Sequence, residues 1–272
     1  MTDRPIKVAV NGALGRMGQT VLGAVEADPV TIAVGGADSA ASADTVGVPG
    51  GNPVPLAPTL AELLSKVDAD VVVDFSNGAG AVEAMAAATG AGVRVVSGST
   101  GVQSGELERF GAIAAEKDIG IISASNFALG AVLMMYLAEV AGSHFAYADL
   151  IESHHEAKID SPSGTALSIA EAARSGRDTD FTYNEPETVT LDEVRGGLMG
   201  GVNVHSARMP GRMARHELVF GTSGQTLSII HDTINRDCYM PGVLMAVKRV
   251  MSLTGLMIGL DQVLGLRDPA KP

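Results

Sequence analysis

A single cysteine, Cys238, stands among 272 residues. It excludes an intrachain disulfide and a thiolate metal site, and it suits a reducing, cytoplasmic compartment. Cations are scarce as well: 19 Lys and Arg against 31 Asp and Glu leave a formal net charge of -12. Binding of nucleic acid needs clustered cations against phosphates, so no nucleic-acid partner is expected. Arg208, Arg212 and Arg215 do cluster, but they flank Pro210-Gly211 and read as a solvated turn. Long apolar runs are missing. The longest apolar helix candidate, residues 127–142, carries Glu139 and is short for a bilayer, and its Met134-Met135-Tyr136 cluster reads as core or interface. Lys7 follows a short polar start with no apolar stretch ahead of a cleavage site, so neither a signal peptide nor a membrane partner is expected. Low-complexity repeats are absent, and residues 39–58 read as a loop of small residues. His155-Glu156 lacks the second histidine of an H-E-x-x-H helix, so no metal site is expected.

What is present is concentrated in one segment, Glu152-Ser153-His154-His155-Glu156-Ala157-Lys158-Ile159-Asp160-Ser161-Pro162-Ser163-Gly164-Thr165. Imidazole holds and releases a proton near neutral pH. Lys158 adds a fixed cation with three donors. Ser163-Gly164-Thr165 opens a helical run through Arg174, whose first amides lack intrahelical acceptors and so favour a carboxylate or phosphate. Proton donor, cation and anion cradle together read as the reacting end of a site for a small acidic substrate. Each part has a plainer reading, a structural histidine pair and an ordinary helix cap, so a second motif is needed.

That motif lies at the N-terminus. Ile6 to Val10 is a short apolar strand, followed by Asn11-Gly12-Ala13-Leu14-Gly15-Arg16-Met17-Gly18 and an amphipathic helix through Ala27. Strand, glycine turn and helix form the setting in which a pyrophosphate is cradled, although the spacing is offset from the commoner G-x-G-x-x-G. A second strand, Thr31 to Val34, leads through Gly35-Gly36-Ala37 to Asp38, placed where a carboxylate accepts from ribose hydroxyls. Ser39 follows where an arginine could hold a 2′-phosphate. NADH is therefore expected to serve at least as well as NADPH, with Arg16 close enough to help a phosphate.

Strands at Val71 to Phe75, Arg94 to Ser97 and Ile119 to Ser123 alternate with helices at Gly80 to Thr89 and Glu106 to Lys117. This order predicts a parallel sheet with a ligand crevice beyond the strands' carboxyl ends, lined by Ser76-Asn77, Gly98-Ser99-Thr100-Gly101 and Asn126. Strands follow at Tyr147 to His154, Val202 to Arg208, Glu217 to Gly221 and Thr226 to Ile234, with turns at Pro210-Gly211 and Ser223-Gly224. A Met-rich helix then runs from Gly242 to Leu253. His205, His216 and His231 lie in or beside these strands and read as hydrogen-bonded structural histidines. The fold class is thus α/β: a Rossmann-type parallel-sheet domain, residues 1–126 with 236–272, and a smaller α+β domain with an open mixed sheet, residues 127–235. Asn126-Phe127 and Asn235-Arg236 would be hinges for closure.

Four segments in this order, Gly12-Ala13-Leu14-Gly15-Arg16-Met17-Gly18, Gly98-Ser99-Thr100-Gly101, Ala124-Ser125-Asn126-Phe127 and His154-His155-x-x-Lys158-x-Asp160-x-Pro162-Ser163-Gly164-Thr165, carry a resemblance over nearly the whole chain. The chain resembles the dihydrodipicolinate reductases of bacterial lysine and diaminopimelate biosynthesis. The resemblance implies that His154 donates a proton and that Lys158 serves substrate binding and catalysis. It further implies that His155, Ser163, Gly164 and Thr165 contact a small dicarboxylate substrate. Gly12, Gly15, Arg16, Met17 and Asp38 would meet the cofactor, NADH or NADPH; Gly98, Thr100, Ala124, Asn126 and Phe127 would lie toward its nicotinamide end. Arg236 would lie near the cofactor, with Tyr239 where the family often has phenylalanine. It also implies a homotetramer assembled through the second sheet. Ala157 departs from the family, which commonly has histidine there; Ser39 and Asn77 stand where NADPH-tolerant members can carry arginine. The stretch from Ser175 to Gly201 aligns poorly.

The substrate so implied is a cyclic imine bearing two carboxylates and a hydroxyl; loss of water creates a conjugated system, into which the nicotinamide would deliver hydride at carbon four. His154 would protonate the carbon beside the one that accepts hydride, and Lys158 would offset carboxylate charge. Two other readings stay open at this point: a Rossmann-type reductase of another small imine or aldehyde, and a nucleotide-sensing regulator that would need no His154-Lys158 pair.

Overall fold

Short β-branched runs alternate with helices through the first half of the chain and pair in parallel, as that alternation predicts. The computed structural model describes residues 4–267. Along the chain come β1 (Ile6–Asn11), α1 (Arg16–Ala27), β2 (Thr31–Ala37), β3 (Thr45–Val46), β4 (Val54–Ala57), α2 (Leu60–Leu64), β5 (Val71–Asp74), α3 (Gly78–Gly90), β6 (Arg94–Ser97), α4 (Ser104–Glu116) and β7 (Gly120–Ser123). Then follow α5 (Leu129–Gly142), β8 (Tyr147–His154), α6 (Gly164–Ser175), β9 (Gly197–Met199), β10 (Val202–Arg208), β11 (Ala214–Thr222) and β12 (Gln225–Thr233). A 3-10 turn (Arg236–Tyr239), α7 (Met240–Val250), β13 (Gly255–Ile258) and α8 (Leu260–Val263) complete the described chain.

The chain divides into two units. One holds the described residues up to Leu129 and those from Tyr239 onward; the other is Gly130–Cys238. By this division Arg236 belongs to the second unit.

The first unit is built on an eight-stranded sheet in the order β13-β7-β6-β5-β1-β2-β4-β3, parallel except for the β3–β4 pair. Helices cover both faces, which leaves the central strands buried and reading as continuous apolar runs such as Val71-Val72-Val73. Alternation splits their side chains between two layers. Ala9, Val72, Val95 and Ile121 pack with Leu63, Met85 and Phe110 on one face. On the other face α7 lies against β5, β6 and β7 and beside α1. Fully burying one such Val, Leu or Phe contributes about 1.5–3 kcal/mol, so these two layers carry most of the unit's stability.

Two sequence expectations need correction. Residues 39–58 are not simply loop: β3 and β4 pair within them, and β4 extends the sheet beside β2. Both are too short and, at Pro55, too irregular to show a strand pattern. The Met-rich helix α7 ends at Val250, and the following residues form β13, which pairs in parallel with β7.

The second unit has a five-stranded mixed sheet in the order β12-β11-β8-β10-β9, with β8 and β10 parallel. Ala148, Leu150, Val204, Leu218 and Phe220 point inward, onto Met134 and Ala138 of α5 and Ile169, Ala170 and Ala173 of α6. Tyr147, Ile151 and Ile230, at alternate positions, are exposed on the opposite face.

Candidate active site

In a parallel sheet every strand ends at the same edge, and the turns that follow gather there. β1 ends at Asn11 and β2 at Ala37; the Gly12 and Ala13 amides both donate to the Ala37 carbonyl, at 2.8 and 3.1 Å. Gly12 has φ +79°, and a Cβ on it would sit 2.7 Å from the Phe75 carbonyl oxygen. A Cβ on Gly18 would lie 2.0 Å from the Gly12 oxygen, so a side chain there would push α1 off the turn. α1 begins without a side-chain cap and without an acidic residue in its first turn. Its leading amides and positive dipole end are thus available to an anion. Asp38 follows β2, and its carboxylate accepts from the Leu14 amide at 2.9 Å and the Ala40 amide at 3.0 Å. Each carboxylate oxygen keeps capacity for a hydroxyl donor. Bare backbone, a helix start and a carboxylate beside them fit the pyrophosphate and ribose of a dinucleotide.

One buried residue that the sequence reading left inside a strand organises this edge. Asp74, at the end of β5, is fully buried and accepts from Asn11 Nδ2 (2.8 Å), Ser76 Oγ (2.6 Å) and Ser97 Oγ (2.8 Å). It therefore ties together the ends of β1, β5 and β6, where Gly98 and Thr100 begin the next turn. Asn77 caps α3 through its side-chain oxygen, and Gly78 lies against the Gly101 carbonyl. Ala124, Asn126 and Phe127 follow β7; the Phe127 ring meets Phe75 edge-on at 5.7 Å, and Asn126 accepts from the Ala128 amide.

The second group of residues forms inside the second unit, at the end of β8. Period-two alternation continues the inward row Ala148, Leu150 to Glu152 and His154, both buried. His154 Nδ1 hydrogen-bonds Glu152. Strand register adds two neighbours: β10 sets Arg208 beside His154, and β11 sets His216 beside Glu152. Arg208 donates to Glu152 Oε1 at 2.8 Å and to the Asp160 carbonyl at 2.7 Å, and so holds the loop after β8 against the strand. The His154 and His216 rings meet edge-on at 5.4 Å. Ser163 Oγ accepts from the Ala166 amide as the cap of α6 and lies 3.2 Å from His216 Nε2. Lys158 Nζ donates to Asp160 at 2.6 Å within the loop.

Charge follows from these contacts. Burial pushes Glu152 up, but hydrogen bonds from Arg208, Ser206 and His154 outweigh it and hold the carboxyl below the usual range, hence ionised. Burial lowers the His154 pKa, opposed by the Glu152 carboxylate and reinforced by Lys158 and Arg208. Burial, with His154 nearby, lowers His216 to about 4, so it is neutral at pH 7. A neutral His216 can accept from the Ser163 hydroxyl. Glu152, His154 and His216 bring ligand-type atoms within 4.8 Å of one another. Both Glu152 oxygens, however, already serve Arg208 and His154, and a guanidinium in the cluster repels a dication.

The arrangement can present an imidazole Nε2, an ammonium and a helix start to one small anionic molecule. Two family models match the chain: dihydrodipicolinate reductase, N-terminus, over residues 6–127, and dihydrodipicolinate reductase, C-terminus, over residues 130–264. The chain belongs to the dihydrodipicolinate reductase family. A 4-hydroxy-tetrahydrodipicolinate reductase of Dehalococcoides mccartyi is 41% identical over 96% of this chain and 99% of its own. That of Bacillus cytotoxicus is 36% identical over 96% and 99%. Among solved structures, the dipicolinate-bound dihydrodipicolinate reductase from Paenisporosarcina sp. TG-14 superposes with a TM-score of 0.86 at 32% identity, covering 95% of this chain and 99% of that one. An amine dehydrogenase from Mycobacterium smegmatis, at TM-score 0.64 and 14% identity over 96% of each chain, shares the fold.

As a dihydrodipicolinate reductase family member the chain is an oxidoreductase with a Rossmann-type nucleotide domain. The structure gathers Gly12, Gly15, Arg16, Met17 and Asp38 at one edge of the first unit, with Gly98, Thr100, Ala124, Asn126 and Phe127 along the same edge. It gathers His154, His155, Lys158, Ser163, Gly164 and Thr165 in the second unit. Arg236 opens the 3-10 turn, apart from both clusters in the chain. The sequence reading missed three residues of the second cluster. Glu152 was visible through period two; Arg208 and His216 needed the strand register. Of the three arginines read as a solvated turn only Arg212 lies in one; Arg208 is in β10, and Arg215 is half-buried in β11, where it pairs with Asp232 and Glu217. His216 is hydrogen-bonded as a structural histidine would be, but its bond holds the Ser163 turn beside His154.

Proposed function

We propose that this chain reduces 4-hydroxy-tetrahydrodipicolinate to tetrahydrodipicolinate in lysine and diaminopimelate biosynthesis, in the cytoplasm, with NADH at least as good a donor as NADPH. The hydrogen-bonded Arg208–Glu152–His154 chain beside Lys158 and the α6 start carries this reading, because a nucleotide sensor has no use for it. The first unit binds the dinucleotide and the second the substrate. Loss of the substrate's hydroxyl as water gives a conjugated ring, and the nicotinamide, when bound, would supply the hydride that reduces it.

The chain's own residues do the rest. The α1 start and Asp38 hold and orient the dinucleotide. The amides of Gly164 and Thr165 and the Thr165 hydroxyl receive one substrate carboxylate; the Ser163 hydroxyl braces that turn from below, being buried and already engaged. Lys158 exchanges Asp160 for the substrate's negative charge. That same charge favours the imidazolium of His154, which gives its Nε2 proton to the carbon beside the reduced one. Burial of Glu152 and His154 keeps water from competing for the proton.

The exposed Tyr147, Ile151 and Ile230 face of the second sheet fits assembly into a homotetramer, since an open apolar sheet face needs cover. Absorbance at the reduced nicotinamide band tests the activity: NADH should be consumed only when freshly generated hydroxy-tetrahydrodipicolinate is present. With saturating substrate, kcat/KM for NADH should equal or exceed that for NADPH, because Ser39 offers no cation to a 2′-phosphate. Consumption with other imines alone would end the substrate assignment, and a strong NADPH preference would end the cofactor assignment.

A further inference from the structure

We propose that Glu152 is a positioning residue that fixes His154 as an Nδ1–H donor to its carboxylate, leaving Nε2 as the proton-delivering atom, and that Arg208 locks Glu152 in that pose. The proposal rests on the reading of His154 as the proton donor. Its geometry is independent of that reading. An ionised carboxylate is acceptor-only, so the ring nitrogen it meets must carry a hydrogen. Glu152 is fully buried and cannot turn to solvent, and its other oxygen is occupied by Arg208 at 2.8 Å. Arg208 is pinned in turn by the Asp160 carbonyl at 2.7 Å, so carboxylate, ring and substrate loop form one unit.

The charges around His154 come from four elements. Glu152 lies on its own strand, Arg208 on β10, the neutral His216 on β11, and Lys158 on the following loop. Only Glu152 favours the imidazolium; burial, Arg208 and Lys158 all oppose it. A proton donor in this pocket therefore depends on that one carboxylate until an anionic substrate arrives.

Nitrogen-resolved NMR of the ligand-free wild-type protein should show neutral His154 as the Nδ1–H tautomer. The Nε2–H tautomer would overturn the proposal without any variant. In Glu152→Gln the His154 titration midpoint should move to lower pH. The limb of kcat that falls as the donor loses its proton should move the same way, with kcat at neutral pH down about tenfold or more. A purely structural role would lower activity without moving either midpoint, and an unmoved midpoint overturns the proposal. If the wild-type chain fails to turn over the hydroxy-imine, the functional reading falls while the tautomer and the ligand-free titration still decide the role of Glu152.

Discussion

Replacing His154 by glutamine is expected to lower kcat by about two orders of magnitude, or about 3 kcal/mol in barrier, with little change in KM for NADH. Glutamine keeps roughly the reach of the imidazole and can still hydrogen-bond, but no protonated form exists to donate near neutral pH. The ring sits at the end of β8 with its Nδ1 committed to Glu152, so only Nε2 is free for chemistry. His216, 5.4 Å away between ring centres, cannot stand in: it is neutral at pH 7 and engaged with Ser163. Steady-state oxidation of NADH with freshly prepared substrate measures the effect. Near-normal turnover would remove His154 from the mechanism, whatever its neighbours do.

Lys158→Ala should cost about two to three orders of magnitude in kcat/KM, shared between kcat and KM. The ammonium is the one cation of the loop that can turn from its 2.6 Å contact with Asp160 toward a bound carboxylate. Its loss removes an attraction and leaves Asp160 uncompensated beside a dianion, so binding and turnover suffer together. Lys158→Arg should restore binding better than turnover, since a planar guanidinium keeps the charge but not the compact point donor. A KM effect alone in Lys158→Ala would reduce the residue to a substrate anchor.

The two units differed in how much of them could be read ahead of the coordinates. The parallel strands were plain because burial on both faces makes them unbroken apolar words, as in Val71-Val72-Val73, and because glycine turns end them. Strand β13 escaped: four residues after a Met-rich helix look like its continuation, and only pairing with β7 makes them a strand. β4, which holds Pro55, escaped for the same reason. In the site, residues on one segment were recovered together, from His154 through Thr165. Residues joined across strands were not. Arg208 and His216 are far from His154 along the chain, and β10 and β11 deliver them through register, a property no local pattern encodes. Asp74 shows the same limit, since its three partners arrive from β1, from β6 and from the turn that follows β5.

The sheet that opens at Ile6 is not closed until Gly255–Ile258 joins β7. Everything from Gly130 to Cys238 lies between those two moments of synthesis. While that stretch emerges from a ribosome, β7 remains a bare edge and the groove of α7 stays open, features that invite wrong pairing. The inserted unit, whose strands and helices all come from one continuous stretch, has no such wait. Birth order thus makes the middle of the chain the first part able to settle, and the nucleotide sheet the part that must be shielded longest.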